Sequence, residues 1–512
     1  MASKMLMGDM PELMENILNN LKDEIYSLYS CALVSRHWCK MSIPILWQNP
    51  FSFGQKPLFI TEYCSSFDED EVFVLKECGI NDEFSRTLFN YARFLKVLDL
   101  SHLEIKVREW INLKLKLNSY YYNTSICTVI TLLLKLFVES GAILHKLALW
   151  LSESFEFKPE VFYSIGRNEL FFSRLQHLSL EVIPIPNFNI ENVTTFLRVL
   201  AKNTTTISSL KLEFYYEYEP RLFDSLFNAL IRIIKSQDKL RLFRLVGVEY
   251  PTEFYGIISA LESQKNSLQE VIINGCAYSE EFEVLKDCKN LETLRIRNCN
   301  PKLLNLLNHK ISTLEIVDCT IDVQTIPLII ERSGLLLQRL KFEQAGSGYI
   351  HEELFFLEAL KSFCPNITYL NIKYIEFSTQ LLELIGNLQK LRFLSLLCYV
   401  DYIPEEKLKM RVMQFAKILP VTLQYLDLGN TWLPYIDIFL NNCNAPLKKL
   451  LNYHLCGEKN TSALIEFCIR NKALNYVGIH RHLDFDEKFR KEVEAHVSNV
   501  ALVPCARIVV NC

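Results

Sequence analysis

From Leu95 onward one six-residue phrase recurs, with an apolar residue at its first, fourth and sixth positions and mostly polar residues between. Copies start at Leu95, Leu144, Leu175, Ile207, Leu240, Leu268, Leu291, Ile311, Leu337, Ile367, Leu391, Leu423, Leu447 and Leu474, the one at Leu447 being degraded. The second half of each phrase alternates apolar with polar, the period of a half-buried strand. The stretches between phrases often put apolar residues at i, i+3 and i+4, as after Gln380 and after Ser225, which predicts helices. One strand and one helix cannot bury their apolar faces alone. Stacked copies share a core, with parallel strands on one face and helices on the other.

Successive starts after Leu144 lie between 20 residues (Leu291 to Ile311) and 33 residues (Ile207 to Leu240) apart. Most spacings sit near the 20–29 residue period of leucine-rich repeats or slightly above it. Cys276, Cys299 and Cys319 occupy the ninth position of three consecutive copies. That slot points into the turn after the strand and takes Asn or Cys in such repeats. This resembles the cysteine-containing subtype found in F-box proteins, over about four-fifths of the chain. The expected fold is an α/β leucine-rich-repeat solenoid, strands on the concave face and helices on the convex face. The wide gap from Leu95 to Leu144 reads as one repeat with an insertion or as two with one degraded.

Ahead of the repeats, residues 10–47 predict three short helices. Asp9 and Glu12 have capping-box spacing, with Pro11 in the first turn. Met10, Leu13, Met14, Ile17, Leu18 and Leu21 follow at helical spacing. A second helix, from about Glu24 to Val34, is expected to hold Ile25, Leu28, Tyr29, Ala32 and Leu33 inside, and a third carries Trp38, Met41 and Ile45 towards Trp47. The order Pro11, Glu12, Leu13, Ile17, Leu18, Leu21, then Leu28, Cys31, Val34, Arg36, Trp38, then Leu46, Trp47 is similar to an all-α F-box, with Met10 where the family carries Leu. The resemblance implies docking to a Skp-family adaptor and through it to a cullin ubiquitin ligase. The residues it assigns to adaptor binding are Pro11, Leu13, Ile17, Leu18, Leu21, Leu28, Cys31, Val34, Arg36, Trp38 and Trp47. A motif of this size carries more apolar residues than three small helices can hide, which points to a partner surface. The other reading is that these helices only cap the solenoid. The organisation is then an F-box over 1–50, a linker and N-terminal cap over 51–90 and the solenoid over 91–512. Removing residues 1–50 is expected to spare the solenoid. The acidic run Asp68 to Glu71 reads as solvated linker.

Composition narrows the function rather than the fold. Net charge is −4, so no whole-chain field draws in nucleic acid or an anionic membrane, and neither is expected as a partner. The longest apolar stretch, near Ile126 to Val138, is too short to span a bilayer, and the N-terminus shows no signal-peptide run. The chain is expected to be soluble and cytoplasmic and/or nuclear. Its 16 cysteines include no Cys-x-x-Cys pair and read as reduced thiols. No phosphate loop and no nucleophile elbow is present, and His351-Glu352-Glu353 has Phe355 where a zinc protease places its second histidine. His480 and His482 read as surface residues. No catalytic residue, metal or cofactor is expected.

The remaining candidate chemistry is recognition. Polar slots of the phrase face the concave side, and stacking sets equivalent slots side by side. The third slot reads Tyr369, Phe393, Tyr425, Lys449 and Tyr476 in five successive copies. The four aromatics form a candidate substrate-binding column whose rings are expected to stand out from the sheet. The middle copies interleave Arg244, Arg295, Arg297, Arg339 and Lys341 with Glu270, Glu315 and Glu343, a protein-binding or solvated face rather than a nucleic-acid stripe. The expectation is a substrate-recognition subunit of an F-box ubiquitin ligase, or a repeat scaffold acting outside ubiquitination.

Overall fold

Every phrase becomes a strand that begins at its third residue, and every first residue is buried, from Leu95 through Leu474. The structure is a computed structural model that describes residues 11–512 except 53, 55, 116–121, 152–167, 183–189, 215–219, 248–252, 307–309, 320–324, 344–349, 401–402, 430–434, 453–457, 480–490, 492, 494, 498–499 and 505–512. The chain forms two compact units, Met1–Leu268 and Gln269–Cys512, with the boundary inside the repeat region. The first unit holds β1 (Val97–Asp99), β2 (Lys146–Leu151), β3 (His177–Val182), β4 (Ser209–Phe214) and β5 (Leu242–Gly247). The second holds β6 (Glu270–Asn274), β7 (Thr293–Arg297), β8 (Thr313–Val317), β9 (Arg339–Glu343), β10 (Tyr369–Glu376), β11 (Phe393–Tyr399), β12 (Tyr425–Asp427), β13 (Lys449–Leu451), β14 (Tyr476–Ile479) and β15 (Ala501–Pro504). Within each unit neighbouring strands pair parallel and in sequence order. Helices or 3₁₀ turns connect them, so the architecture is the expected leucine-rich-repeat solenoid behind an N-terminal helical F-box.

The register obeys one rule. The carbonyl of the second phrase residue accepts the N–H groups of the second and third residues of the next phrase. Lys96 O takes His145 N and Lys146 N at 2.8 and 3.0 Å, and Thr368 O takes Arg392 N and Phe393 N at 2.8 and 3.1 Å. Equivalent residues therefore stand about 4.8 Å apart. The same rule resolves the wide gap: Val97 pairs directly with Lys146, so the span is one repeat carrying two helices, Leu100–Lys114 and Tyr122–Glu139. β15 has no phrase that the pattern detects, because Asn499 stands in the leucine slot.

Three consecutive repeats, the two shortest among them, exchange α-helix for 3₁₀ turns, at Ser259–Gln264, Glu280–Asp287 and Pro301–Leu306. A 3₁₀ turn rises about 2.0 Å per residue against 1.5 Å, so fewer residues cover the same sheet edge. Strands β6, β7 and β8 end alike. Gly275, Asn298 and Asp318 adopt positive φ, and each donates its N–H to the end of the next strand, at Arg297 O, Val317 O and Glu343 O (2.7–2.9 Å). Gly, Asn and Asp are the residues that tolerate this conformation. The turn drives the next residue inward. Cys276, Cys299 and Cys319 are buried, each thiol reaching the carbonyl two residues back.

Residues 57–77 are more structured than the sequence suggested. A 3₁₀ turn, Pro57–Phe59, leads into the helices Ile60–Cys64 and Glu69–Glu77. The acidic run is the start of the second helix and not a solvated linker. Asp68 caps it, accepting from Glu71 N at 2.8 Å, while Glu71 accepts from Asp68 N. Glu71 is buried and receives Lys135 Nζ at 2.9 Å from the helix Tyr122–Glu139. The capping-box spacing was legible, but its tertiary cation, 64 residues downstream, was not.

Burial pushes the Cys299 thiol up to about 12 and raises that of Cys319, so thiolate is scarce at neutral pH. All three turn cysteines should resist a thiol reagent in the native protein and react fully in denaturant. Rapid native labelling of Cys276, Cys299 and Cys319, read by mass spectrometry, would contradict this packing.

Candidate functional site

Two surfaces stand out, one in each unit. The first lies on α1 (Pro11–Asn20), α2 (Ile25–Ala32) and α3 (Arg36–Leu46). Their shared core is Leu18, Leu28 and Ile45, with Leu21, Cys31, Trp38, Met41 and Leu46 packed around it. Ser35 caps α3, accepting from Trp38 N at 3.3 Å. That core uses one face of α2 only. A helix apolar on every side must leave the others outside, and α2 and the turn after it expose Ile25, Tyr26, Tyr29, Leu33 and Val34, with Tyr26 90% and Leu33 71% accessible. Leu13 and Ile17 on α1 are also exposed.

The expected adaptor-binding set therefore divides. Leu13, Ile17, Val34 and Arg36 are exposed. Leu21, Cys31 and Trp38 are half-buried around the core. Leu18 and Leu28 have no accessible surface, so they hold the helices together and cannot themselves touch a partner. Pro11 opens α1, and its side chain lies outside the described residues, as do Asp9 and Met10. Trp47 is occupied elsewhere. It stacks on Tyr91 (4.0 Å, 22°) and meets Tyr63 and Phe59 edge-on. Next to it, Gln48 O accepts Lys96 N and Val97 N at 3.0 and 2.9 Å. Residues 47 and 48 thus occupy the first two slots of a repeat that precedes β1. The second helix was misread in part: Ile25, Tyr29 and Leu33, expected inside, are outside. Their i, i+4 spacing, one stripe beside the Leu28 stripe, was the available signal.

The second surface is the sheet face of β9–β14 turned away from the helices. The expected column forms. Arg339, Tyr369, Phe393, Tyr425, Lys449 and Tyr476 are successive register partners. Tyr369 and Phe393 stack at 4.1 Å, Phe393 and Tyr425 at 4.1 Å, all nearly parallel. The Arg339 guanidinium covers Tyr369 at 4.4 Å, and Lys449 Nζ lies 5.7 Å from the Tyr476 ring. The stacking has a consequence that the sequence reading missed. Tyr369 and Tyr425 are only 7% and 9% exposed, because each ring face is covered by its neighbours. These rings do not stand free of the sheet; Tyr476, 42% exposed, is the open one. Beside the column, Asn371 Oδ1 and Arg339 Nη2 are buried without a hydrogen-bond partner among the described residues. Asp427 accepts from Ser395 Oγ and Gly429 N.

Most charges of the middle copies are paired with one another, whereas Arg244 and Arg339 make no ion pair among the described residues. Glu315, almost fully buried, receives Arg295, Arg297 and Lys341 at 2.8–3.0 Å. Arg295 also reaches Glu270, and Lys373 reaches Glu343. Burial pushes Glu315 up, but Lys341, Arg295 and Arg297 outweigh it and hold the carboxyl below its usual range. Among the described residues no group of three or more His, Cys, Asp or Glu could hold a metal ion, and no helix is long and apolar enough to cross a membrane. His480 and His482 lie outside the described residues.

Residues 11–52 match the F-box-like family model. No curated protein matches the chain. A leucine-rich-repeat protein of Leptospira interrogans is similar over 72% of this chain and 97% of its own, at 14% identity and a TM-score of 0.26.

Two outcomes follow for the column. Changing Tyr369, Phe393 and Tyr425 together to Ala should destabilise the repeats by several kcal/mol, since a buried ring alone contributes about 3–5 kcal/mol; an unchanged Tm would mean the stack does not exist in solution. Burial raises the Asp427 carboxyl above its usual range. A carboxyl raised on folding favours the folded state below its unfolded pKa, and that contribution is lost as pH rises through the folded one. Asp427→Asn should therefore raise Tm at neutral pH, with the gain shrinking towards about pH 4. A loss of Tm at neutral pH would contradict the assignment.

Proposed function

We propose that this chain is the substrate-recognition subunit of an SCF-type cullin ubiquitin ligase. Its F-box docks to a Skp-family adaptor and its repeats hold the target protein. The observation that carries the reading is the apolar face of Leu13, Ile17, Tyr26, Tyr29, Leu33 and Val34, left in solvent by helices whose core is already complete. A patch of this kind on a small motif marks a partner site. Such a subunit performs no chemistry of its own, is not an enzyme and needs no cofactor. It raises the effective concentration of target at the ligase. The ligase machinery places it in the cytoplasm and/or nucleus. We assign the target contact to the ring edges of Tyr369, Phe393 and Tyr425, and above all to exposed Tyr476. Rigid aromatics of this sort carry a large share of interface energy.

A repeat scaffold outside ubiquitination is the second reading. One observation favours it: Gln48 and Trp47 close the sheet edge at β1, which gives the helices a structural task without any adaptor. Co-purification with a Skp-family adaptor and a cullin separates the two. The same closure changes how the motif should be removed. Deleting residues 1–50 would strip Trp47 from Tyr91 and Gln48 from β1, so the expectation that the solenoid survives that deletion no longer holds.

Point substitution is the cleaner test. Leu33→Asp with Val34→Asp should reduce adaptor capture by at least about tenfold with little change in Tm, because both side chains are solvent-exposed. Leu28→Asp should instead unfold the three helices, since its side chain sits in the core without access to water. Normal adaptor capture by the Leu33/Val34 variant would exclude this face as the docking surface.

A further inference from the structure

In the first unit the strand-pairing rule gathers cations that have no carboxylate partner. Lys146 and His177 are direct register partners on β2 and β3. Lys96 and His145 occupy the slots just before β1 and β2, joined by the hydrogen bond from His145 N to Lys96 O. Arg174 sits in the turn that leads into β3. Five basic groups thus share a patch two strand spacings wide, about 10 Å. Lys146, Arg174 and His177 are exposed, and Lys96 and His145 half-buried. None of the five makes an ion pair among the described residues. This contrasts with β6–β10, where Arg295, Arg297 and Lys341 all end on Glu315.

The groups around the two histidines are one-sided. From β1 comes Lys96; Asp99, further along that strand, is engaged with His102. From β2 comes Lys146, and from the turn before β3, Arg174. At these slots the next phrase contributes only Ser208 and Ser209; further along the strands lie Glu181 on β3 and, on β4, Lys211 paired with Glu213 at 2.8 Å. Glu169, the acidic residue nearest before Arg174 in the sequence, is exposed and makes no ion pair among the described residues. Burial lowers His145, and Lys96, Arg174 and His177 lower it further; burial and then Lys146 lower His177. The patch therefore works against its own positive charge, and a bound anion would relieve that repulsion.

We infer that Lys96, His145, Lys146, Arg174 and His177 form a docking surface for an acidic segment of a partner protein, with proton uptake by the two histidines on binding. The size of the patch favours a peptide over a nucleic acid. Its five basic groups lie within about 10 Å, whereas duplex binders distribute contacts over about 6–10 phosphates, and the chain as a whole is acidic, with net charge −4. A carboxylate-bearing segment would restore ordinary or higher histidine pKa values, so its affinity must rise as pH falls through the histidine range. The inference does not depend on the ligase reading, because the F-box face lies on other residues.

The test uses the full chain and a fluorescein-labelled Glu-Ser repeat peptide, followed by anisotropy at low salt. A Gln-Ser repeat serves as the neutral control and a short DNA duplex as the competing class. The Glu peptide should bind and the Gln peptide should not, with affinity rising about fivefold between about pH 8 and pH 6. Lys146→Glu with Arg174→Glu should weaken binding about tenfold at unchanged Tm. His145→Gln with His177→Gln should keep binding at high pH and lose the pH dependence. Equal binding of the Gln peptide, indifference to the charge reversal, or tighter binding of DNA than of the peptide would each overturn the proposal. If the double reversal disturbs folding, Lys146→Gln alone, in an exposed slot, supplies the same reading with a smaller expected loss.

Discussion

The parallel, in-register pairing of neighbouring strands is the constraint from which the rest of this molecule follows. One carbonyl, on the second residue of each phrase, receives two N–H groups from the next phrase. That fixes equivalent residues about 4.8 Å apart along the sheet. Whatever a slot holds is then multiplied into a row. The first slot holds Leu or Ile, and in each unit its row is a core without solvent access, Leu95 to Leu268 in the first and Leu291 to Leu474 in the second. The third slot holds aromatics in β10–β12, and 4.8 Å is close enough for rings to lie face to face, as the 4.1 Å centroid distances show. The ninth slot holds cysteine after β6–β8, and its row lies under a repeated left-handed turn.

The same rule joins the N-terminal helices to the repeats. Gln48 O does for β1 what Lys96 O does for β2. Trp47 fills the slot that leucine fills elsewhere, and its larger ring is accommodated by Tyr91, Tyr63 and Phe59. Trp110 and Phe137 belong to the same layer: the Trp110 indole donates to Thr61 Oγ1, and Phe137 packs on Tyr63 and Phe51. The inserted helices of the first repeat thus cover the 3₁₀ turn and helices that follow α3. A module mounted this way is joined to β1 by backbone pairing as well as by the packing of Trp47.

How much was legible in the sequence depended on how local each cause was. Strand positions were legible to the residue, because the phrase carries both period and register; only β15, with Asn499 in the leucine slot, escaped. The column was legible as a row but not as a stack. Its rings were taken to face a partner, although the spacing that aligned them also makes them cover one another. The acidic run at Asp68 was misassigned because the cation that buries Glu71 is Lys135, far along the chain. On α2 the amphipathic pattern could not decide which of two apolar stripes is core. Leu28 rather than Tyr29 goes inside because α1 and α3 close over it with Leu18 and Ile45, and that choice is tertiary.

Rows also differ in whether they satisfy themselves, and this sorts surface from scaffold. The aromatic row spends its ring faces on its own members and keeps only edges and Tyr476 for others. One row of β7–β9 alternates in sign, with Arg295, Glu315 and Lys341 as successive register partners, and Arg295 also reaches diagonally to Glu270. Charges paired in this way gain little from a new partner, which would have to displace neighbours already in place. At β1–β3 the second slots hold Lys96 and His145 and the third slots Lys146 and His177, and neither of these two rows holds a carboxylate. A proton added to His145 or His177 stands about one strand spacing, about 4.8 Å, from Lys96 or Lys146 and is electrostatically unfavourable in the free protein. In a fold that multiplies every slot, an unbalanced row is therefore where an external charge lowers the energy most, more than at the rows with the most charges or the most rings.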